Sequence, residues 1–253
     1  MKALVTGAAN GLGRALTDQL LDAGYEVWAI DRDTDALDSL AIKSRGACKV
    51  ILADLANPNS IQRLLLDVSK IKFDVVILNA GISATGRFEE IPGAAYEKLI
   101  AINLTAPLII AAGLMRQENM ALKSRMIFIS SLSHAVGYPG ASVYAATKDG
   151  LAIYAKSIRK PFKKRGVGIT TVFPGPIRTE HAQRYSPKGS KANKRMLPED
   201  MARLILKAAR KGKSELYAGK GAGAAKFFGK LAPNMMSKMM RRVIFDKLDS
   251  NTY

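Results

Sequence analysis

Short apolar runs alternate with helical segments along this chain, and no other feature of the sequence restricts its fold as strongly. Lys2–Thr6 is a short apolar run, and residues 12–23 then carry leucines at helical spacing until Gly24 ends the helix. Further strands are predicted at 26–30, 47–52, 74–78, 125–130, 167–173 and 214–218. The other helices are predicted at 34–44 with Thr34 as the cap, at 61–68 with Asn59 as the cap, and at 94–115, 143–165 and 198–211.

This alternation predicts an α/β fold, a Rossmann-like doubly wound parallel sheet with helices on both faces. The length of 253 residues suits a single domain of this class, and we assign residues 1–219 to it. Residues 220–253 have a different composition and are predicted to form a basic C-terminal helical extension. Ligands in such sheets bind at the carboxyl ends of the strands, so residues that follow strands are the first candidates for a site.

A glycine-rich loop joins the first strand to the first helix. Its sequence, Thr-Gly-Ala-Ala-Asn-Gly-Leu-Gly, covers residues 6–13. Glycine permits a tight turn and lets backbone amides approach a pyrophosphate, while the helix N-terminus adds partial positive charge. A tight turn without a ligand would have the same pattern. The loop nevertheless favours a dinucleotide site, with predicted contacts from Gly7, Asn10, Gly11, Leu12 and Gly13.

Residues after the second and third strands bear on the choice of dinucleotide. Asp31 lies about twenty residues after the loop, where a carboxylate suits the ribose diol of NAD and repels the extra phosphate of NADP. Arg32 complicates this, because a guanidinium could bind that phosphate. Of these two residues we give more weight to Asp31, and we favour NAD over NADP. Asp54, followed by Leu55, could hydrogen-bond the adenine amino group or could start a helix.

Tyr144 and Lys148 are four residues apart in a predicted helix, so they share one face. An ammonium beside a phenol stabilises the phenolate, and we expect it to lower the pKa of Tyr144 from about 10. Such a phenol can exchange a proton near neutral pH, as general acid–base catalysis requires. Ser131, which follows the fifth strand, could hold a substrate oxygen; its spacing to Tyr144 favours it over the neighbouring Ser130 and Ser133.

Other candidates lie at strand ends or in an unusual helical position. The fourth strand ends in Asn-Ala-Gly at residues 79–81, and the sixth ends in Pro-Gly-Pro-Ile-Arg-Thr at 174–179. Asn103 lies inside a predicted helix, although asparagine prefers turns. The cofactor contacts predicted here are Asn79, Ala80, Gly81, Pro174, Gly175, Ile177 and Thr179, and no metal site is predicted.

In order and spacing, these residues together resemble the short-chain dehydrogenase/reductase family, compact single-domain type, over roughly residues 1–219. The resemblance implies that Tyr144 is the acid–base, that Lys148 binds the nicotinamide ribose and lowers the tyrosine pKa, and that Ser131 positions the carbonyl. It further implies that Asn103 holds a water linking Lys148 to solvent. Thr179 would contact the nicotinamide carboxamide, and Ile177 the surroundings of its ring.

The predicted activity is NAD(P)-dependent hydride transfer between a secondary alcohol and a ketone or other carbonyl. The alternative is a protein on the same fold that senses NAD(P) or binds an anionic partner without chemistry. An intact Ser131, Tyr144 and Lys148 set favours the enzyme, because a binding protein has no chemical need for all three. The resemblance suggests a dimer or tetramer.

The charge of the chain is unevenly distributed. Residues 1–155 carry equal numbers of acidic and basic side chains, so the whole net charge of +18 lies in residues 156–253. This asymmetry suggests an anionic partner or simply a solvated basic face. With one cysteine, Cys48, no internal disulfide can form. No signal peptide or membrane span is evident, and a cytoplasmic location is expected.

Two basic segments of the second half carry separate hypotheses. Residues 180–197 lie where the family that this sequence resembles usually has a substrate lid. Cations in this segment and just before it could recognise an acidic substrate or could be merely solvated; they are Arg178, His181, Arg184, Lys188, Lys191, Lys194 and Arg195. Residues 220–253 interleave Met, Phe and Leu with Lys and Arg, an amphipathic pattern. This extension could pack on the domain or a second subunit, or lie on an anionic membrane. The scarcity of aromatic residues among the cations disfavours nucleic acid as the partner.

Overall fold

A computed structural model describes residues 1–136, 138–186, 192–219, 221–223, 227, 231–243, 245–247 and 252–253. Seven parallel strands form one sheet in the order β3-β2-β1-β4-β5-β6-β7, which confirms the predicted fold class. The strands are β1 Lys2–Thr6, β2 Glu26–Asp31, β3 Cys48–Leu52, β4 Phe73–Leu78, β5 Met120–Ile129, β6 Gly168–Pro174 and β7 Glu215–Ala218.

Helices cover both faces of this sheet. The described helices are α1 Gly11–Asp22, α2 Thr34–Lys43, α3 Pro58–Asp67, α4 Gly93–Ile100, α5 Ala106–Arg116, α6 Ser133–Val136, α7 Ser142–Lys164, α8 Glu180–Arg184, α9 Pro198–Arg210 and α10 Pro233–Val243. Buried side chains of α3, α5 and α7 form the core on one face, and those of α1, α2 and α9 form the core on the other. Burying both faces explains why the strands are nearly continuous apolar runs.

The order of the strands decides where a ligand can bind. β1 pairs with β2 on one side and with β4 on the other, so the connections that leave β1 and β4 diverge at this point of the sheet. A crevice at the carboxyl ends of the strands opens where the order reverses in this way. The glycine loop after β1 and residues 79–81 after β4 therefore lie side by side.

Two predicted helix caps are wrong by one or two residues. Thr34 was expected to cap α2, but the Asp33 side chain accepts the Ala36 amide hydrogen bond. Asn59 was expected to cap α3, but the side chain of Asn57 accepts the amide of Asn59 itself. In both cases the cap is the last extended residue before the helix, and its short oxygen-bearing side chain reaches an unpaired amide of the first turn.

The long helix predicted at 94–115 is continuous but irregular. α4 and α5 are joined by a π-helical turn, Ala101–Thr105. Within the described residues, the stretch Gly93–Arg116 is the one helix long and apolar enough to cross a bilayer, but 56% of its most apolar window is buried inside the protein. Many of its apolar residues pack against the sheet, as in the core helix of a globular domain, while Ile100 and Ile109 remain exposed.

The segment after β7 returns to the end of the sheet that is formed by the carboxyl ends of the strands. α10 packs against α6, and Thr252 forms an antiparallel bridge with Thr85, a residue that follows β4. The two amides donate to the two carbonyls at 2.8 Å. The proposed division of the chain at residue 219 stays a prediction.

Candidate active site

The glycine loop is built so tightly that side chains would not fit at two of its positions. A Cβ atom on Gly13 would lie 1.8 Å from the carbonyl oxygen of Gly7, and one on Gly7 would lie 2.9 Å from the Cα of Ala80. Gly7 and Gly11 also have positive φ angles, +65° and +54°, which suit glycine. The loop therefore brings backbone, rather than side chains, to the floor of the crevice.

The amino end of α1 is left open toward this crevice. Asn10 occupies the N-cap position, yet its side chain makes no capping hydrogen bond and instead donates to Asp33 at 2.9 Å. The first turn of α1 contains no acidic residue. Since α2 and α3 are capped by side chains, α1 differs from them in keeping its amides for an external acceptor such as a pyrophosphate.

Asn79 fastens the glycine loop to the end of β4. Its side-chain amide donates to the carbonyls of Thr6 and Gly7, both at 3.1 Å, and its backbone amide donates to the Thr6 hydroxyl at 3.0 Å. Asn79 thus holds the loop from behind, in addition to lining the crevice.

The acidic residues after β2 and β3 also line the crevice. One oxygen of Asp31 accepts the Ala9 amide at 3.0 Å, and the other accepts the Arg32 amide at 2.8 Å. The carboxylate is therefore held against the glycine loop in a fixed orientation. Asp54 accepts the Ala56 amide at 2.9 Å, so it forms a local turn and still faces the same space.

Lys148 is a buried amine at the opposite end of the crevice. It is 4% exposed, and its Nζ donates to the carbonyl of Ile129 at 3.0 Å. The same Nζ lies 5.9 Å from the centre of the Tyr144 ring. Burial lowers the pKa of Lys148 to about 8, because the charged form loses its hydration.

Tyr144 lines the crevice beside Lys148, and its phenol is hydrogen-bonded to the Ser131 side chain. Burial raises the pKa of Tyr144, while the Ser131 hydrogen bond lowers it to a smaller extent. The expectation that Lys148 lowers this pKa is wrong for the protein without ligand. The amine is directed at the Ile129 carbonyl, so desolvation of the phenol outweighs any attraction from it.

Ser130 and Asn103 support the site from within the core. The Ser130 hydroxyl donates to the backbone carbonyl of Lys148 at 2.8 Å. Asn103, in the π turn, accepts the Ile82 amide at 2.8 Å and donates to the Ile82 carbonyl at 2.9 Å and to the Thr147 hydroxyl at 3.2 Å. Its side chain is fully buried and ties the segment after β4 to α7.

The crevice has a volume of about 590 Å³, within the range of cofactor sites. With the exception of Ser131, Asn103 and Gly175, every residue predicted to form the site lines it. Ser131 reaches the site through Tyr144, Asn103 lies behind it, and Gly175 donates its amide to Ala218 at 2.7 Å, joining β6 to β7. The open amides of α1 and the cradle of glycines fit a dinucleotide.

Sequence reasoning did not assign several residues that line the crevice to the cofactor site. They are Ile30, Ala53, Ile82, Ile102, Ile129, Ser130, Glu180 and His181. Ile30 is the last residue but one of β2, Ile129 ends β5, Ala53 follows β3, and Ile102 precedes Asn103, so their positions were the available signal. Among the described residues, no group of three or more His, Cys, Asp or Glu side chains could hold a metal ion.

The lid cations have different environments. Arg178 donates to the carbonyls of Ala192 and Asn193, and Arg195 donates to the Ser186 hydroxyl. These two arginines therefore link described residues from the two ends of this segment. Lys188 and Lys191 lie outside the described residues.

Among the basic residues of this segment that the structure describes, His181 is the one that lines the crevice. Although His181 is exposed as a whole, partial desolvation of the imidazole, with the charges of Lys148 and Arg184, lowers its pKa to about 4. It is neutral at pH 7 and so adds no positive charge to attract an acidic substrate.

Comparison with known proteins agrees with this geometry. The model of the family described as short chain dehydrogenase matches residues 1–189. A 3-oxoacyl-[acyl-carrier-protein] reductase of Rickettsia prowazekii is 28% identical, over 77% of this chain and 80% of that protein. The structure of a short-chain dehydrogenase from Streptomyces avermitilis is similar with a TM-score of 0.81 and 25% identity over 96% of both chains. A structure of 4-hydroxyisoleucine dehydrogenase complexed with NADH has a TM-score of 0.75 and 26% identity, over 87% of this chain and 97% of that one.

Proposed function

The chain belongs to the short-chain dehydrogenase/reductase family of oxidoreductases, and from this we propose that it interconverts a secondary alcohol and a ketone or other carbonyl with NAD or NADP. The observation that carries the proposal is the placement of Tyr144, its hydrogen-bonded Ser131 and the amine of Lys148 at one end of the crevice that the glycine loop opens. A site for dinucleotide binding alone would not require the three together.

In the reduction direction, Tyr144 donates its phenolic proton to the substrate oxygen. Because burial raises the pKa of Tyr144, the residue holds this proton at neutral pH. The Ser131 hydroxyl, which is hydrogen-bonded to the phenol, can donate to the same substrate oxygen as negative charge develops on that oxygen. In the oxidation direction the phenolate would accept the alcohol proton, which requires that binding of the cofactor and substrate lower the pKa.

The bound nicotinamide would supply or accept the hydride. Pro174, which ends β6, and Ile177 and Thr179, which follow it, line the crevice and are the residues we propose to hold the nicotinamide. Lys148 would bind the ribose and add positive charge beside the phenol. Its amine carries a proton at pH 7, since its pKa is about 8. The open end of α1 would hold the pyrophosphate.

We propose NAD rather than NADP as the preferred cofactor. The support is the fixed Asp31 carboxylate, which would accept hydrogen bonds from a ribose diol and repel a phosphate. Arg32 also lines the crevice and is the residue that would favour NADP.

The experiment that tests the activity follows the absorbance of NADH and of NADPH with a panel of ketones, 3-oxoacyl thioesters and secondary alcohols. We expect turnover with at least one of them, a higher kcat/KM with NADH, and a loss of about a thousandfold in kcat for Tyr144→Phe. Tyr144→Phe should still bind the dinucleotide. A variant that kept wild-type kcat would rule out Tyr144 as the acid–base, and dinucleotide binding without any turnover would favour the sensing alternative.

A further inference from the structure

Helix α10 presents a face on which methionines and cations alternate. Met235, Lys238, Met239 and Arg242 occupy positions i, i+3, i+4 and i+7, so they lie along one face. All four are exposed, with 56% of Met235 and 47% of Met239 accessible to solvent. Leu231, just before the helix, is 67% exposed. Packing within the chain does not account for these apolar side chains.

Helix α10 is attached close to the end of the sheet where the catalytic residues lie. α10 packs against α6, and α6 begins two residues after Ser131. Farther along, Thr252 is hydrogen-bonded to Thr85, in the segment that follows β4. The extension is thus attached at two points to the end of the sheet formed by the carboxyl ends of the strands, where the catalytic residues lie.

We propose that the face of α10 formed by Met235, Lys238, Met239 and Arg242 docks onto an anionic lipid bilayer beside the entrance of the crevice. An interfacial helix needs apolar side chains that enter the acyl boundary and cations that meet lipid phosphates. Pro233–Val243 contains no acidic residue, so the face complements a surface of negative charge.

Other occupants fit this face less well. A second copy of the chain would bring the same cations against each other, and like charges repel. Nucleic acid would pair with Lys238 and Arg242, but it would leave the exposed methionines in contact with phosphate and water. A bilayer satisfies both kinds of side chain at once.

The docking also points to a substrate class, and this step rests on the proposed function. A crevice that opens beside a bilayer can receive a substrate from the membrane without its passage through water. The structure therefore favours a lipophilic ketone or alcohol, such as one carried on an acyl chain or a ring system, over a small polar one.

The test is co-sedimentation of the full chain with vesicles of phosphatidylcholine alone and of phosphatidylcholine mixed equally with phosphatidylglycerol. We expect pelleting with the anionic vesicles, weakened by added salt, and little with the neutral ones. The variant K238Q/R242Q should bind about thirtyfold more weakly, the usual effect of removing two cations near anionic lipid. M235S/M239S should also bind more weakly, because it removes the inserted apolar groups.

The matched control is K163Q/K164Q. Both lysines are exposed at the far end of α7, about 30 Å along the helix from Tyr144 at 1.5 Å per residue. This control removes the same charge and should bind anionic vesicles as the wild type does. Unchanged circular dichroism and thermal melting would show that all variants are folded.

Several results would overturn the proposal. They are equal pelleting with both kinds of vesicle, equal losses in K238Q/R242Q and K163Q/K164Q, and a change of oligomeric state in M235S/M239S without a change in lipid binding. Co-sedimentation measures binding to vesicles and does not depend on turnover. A protein that bound anionic vesicles but showed no turnover would therefore count against the proposed reaction and not against the docking. For the substrate class, anionic vesicles should lower KM for a lipophilic ketone in wild type but not in K238Q/R242Q.

Discussion

Adjacent serines at the end of β5 have different tasks, although they are chemically identical. The Ser131 side chain is hydrogen-bonded to the phenol of Tyr144, whereas Ser130 donates to the backbone carbonyl of Lys148. The two side chains point to opposite sides because the chain is still extended at this point. One serine therefore serves the chemistry and the other holds α7 on the sheet.

A pair of alanine variants separates these tasks. Ser131→Ala should lower kcat about a hundredfold and leave the melting temperature near that of the wild type, since it removes a donor to the substrate oxygen. Ser130→Ala should do the reverse, with a loss of about 1 kcal/mol in the free energy of unfolding and a kcat within a few-fold. Steady-state kinetics and denaturant unfolding of both variants check this, and equal kinetic defects would contradict it.

Gly13 is where a single methyl group has the largest expected effect on the cofactor site. Its Cβ would lie 1.8 Å from the Gly7 carbonyl oxygen, so Gly13→Ala must displace the loop backbone. We expect the affinity for NADH, measured by calorimetry, to fall at least about a hundredfold, in line with the loss of a well-placed set of backbone hydrogen bonds.

Gly93→Ala is the matched control for this prediction. Gly93 also lies in the first turn of a helix, α4, but a Cβ there would meet no atom within 4 Å. We expect unchanged affinity for NADH and a stability equal to or up to about 1 kcal/mol above that of the wild type. A similar affinity in the two variants would show that the tight loop is not needed for binding.

Among the secondary-structure elements, the π turn Ala101–Thr105 contains Asn103, the functional residue of the helical segment between β4 and β5. In this turn Asn103 pairs with both backbone groups of Ile82 and with Thr147. A Cβ on Gly81 would lie 3.0 Å from the Lys148 Nζ and 3.3 Å from the Asn103 Oδ1. The strand end, the π turn and α7 therefore meet at one point, as π turns often do at functional sites.

Asn103→Ala should loosen this junction. It leaves the amide and carbonyl of Ile82 without their partners, so the free energy of unfolding should fall by about 2–4 kcal/mol. KM for the cofactor should rise as well, because the segment after β4 lines the crevice. Thr105→Ala, an exposed position in the same turn, should change stability by less than about 0.5 kcal/mol. Equal effects of the two changes on unfolding would contradict the assigned role.

For the molecule as a whole, the buried Lys148 couples the catalytic site to global stability. Its pKa is about 8 in the folded protein, against an ordinary value of 10.5. Between these two pH values the unfolded chain binds more protons than the folded one, so stability rises with pH in this window. Below pH 8 both states are protonated and the cost of burying the charge is present in full.

Comparison with Lys148→Met isolates this effect from the titration of other groups. The free energy of unfolding of the wild type, relative to the variant and without cofactor, should be constant below about pH 8. It should then increase by up to about 3 kcal/mol toward pH 10.5, at 1.36 kcal/mol per pKa unit. Denaturant unfolding across this range measures it, and a difference that stayed flat would show that the amine is not desolvated.

Much of this protein could be predicted from patterns that are local in the chain. The alternation of apolar runs indicated the parallel sheet, the glycine spacing at 6–13 indicated the loop, and the four-residue interval placed Tyr144 and Lys148 on one face. Hydrophobic periodicity and backbone conformational demands are properties of a few neighbouring residues, so they can be read without the fold. The helix caps were misplaced by one or two residues, because several residues at each helix start have side chains that can cap.

Other properties depended on residues that are distant in the chain and close in space. The strand order places Gly7 against Ala80, the π turn brings Asn103 to Ile82, and Thr252 returns to Thr85. Desolvation is equally non-local, which is why burial raises the pKa of Tyr144 although the sequence interval to Lys148 suggested the reverse. Periodicity is encoded locally, whereas hydrogen-bond partners and the exclusion of water exist only once the whole chain has packed.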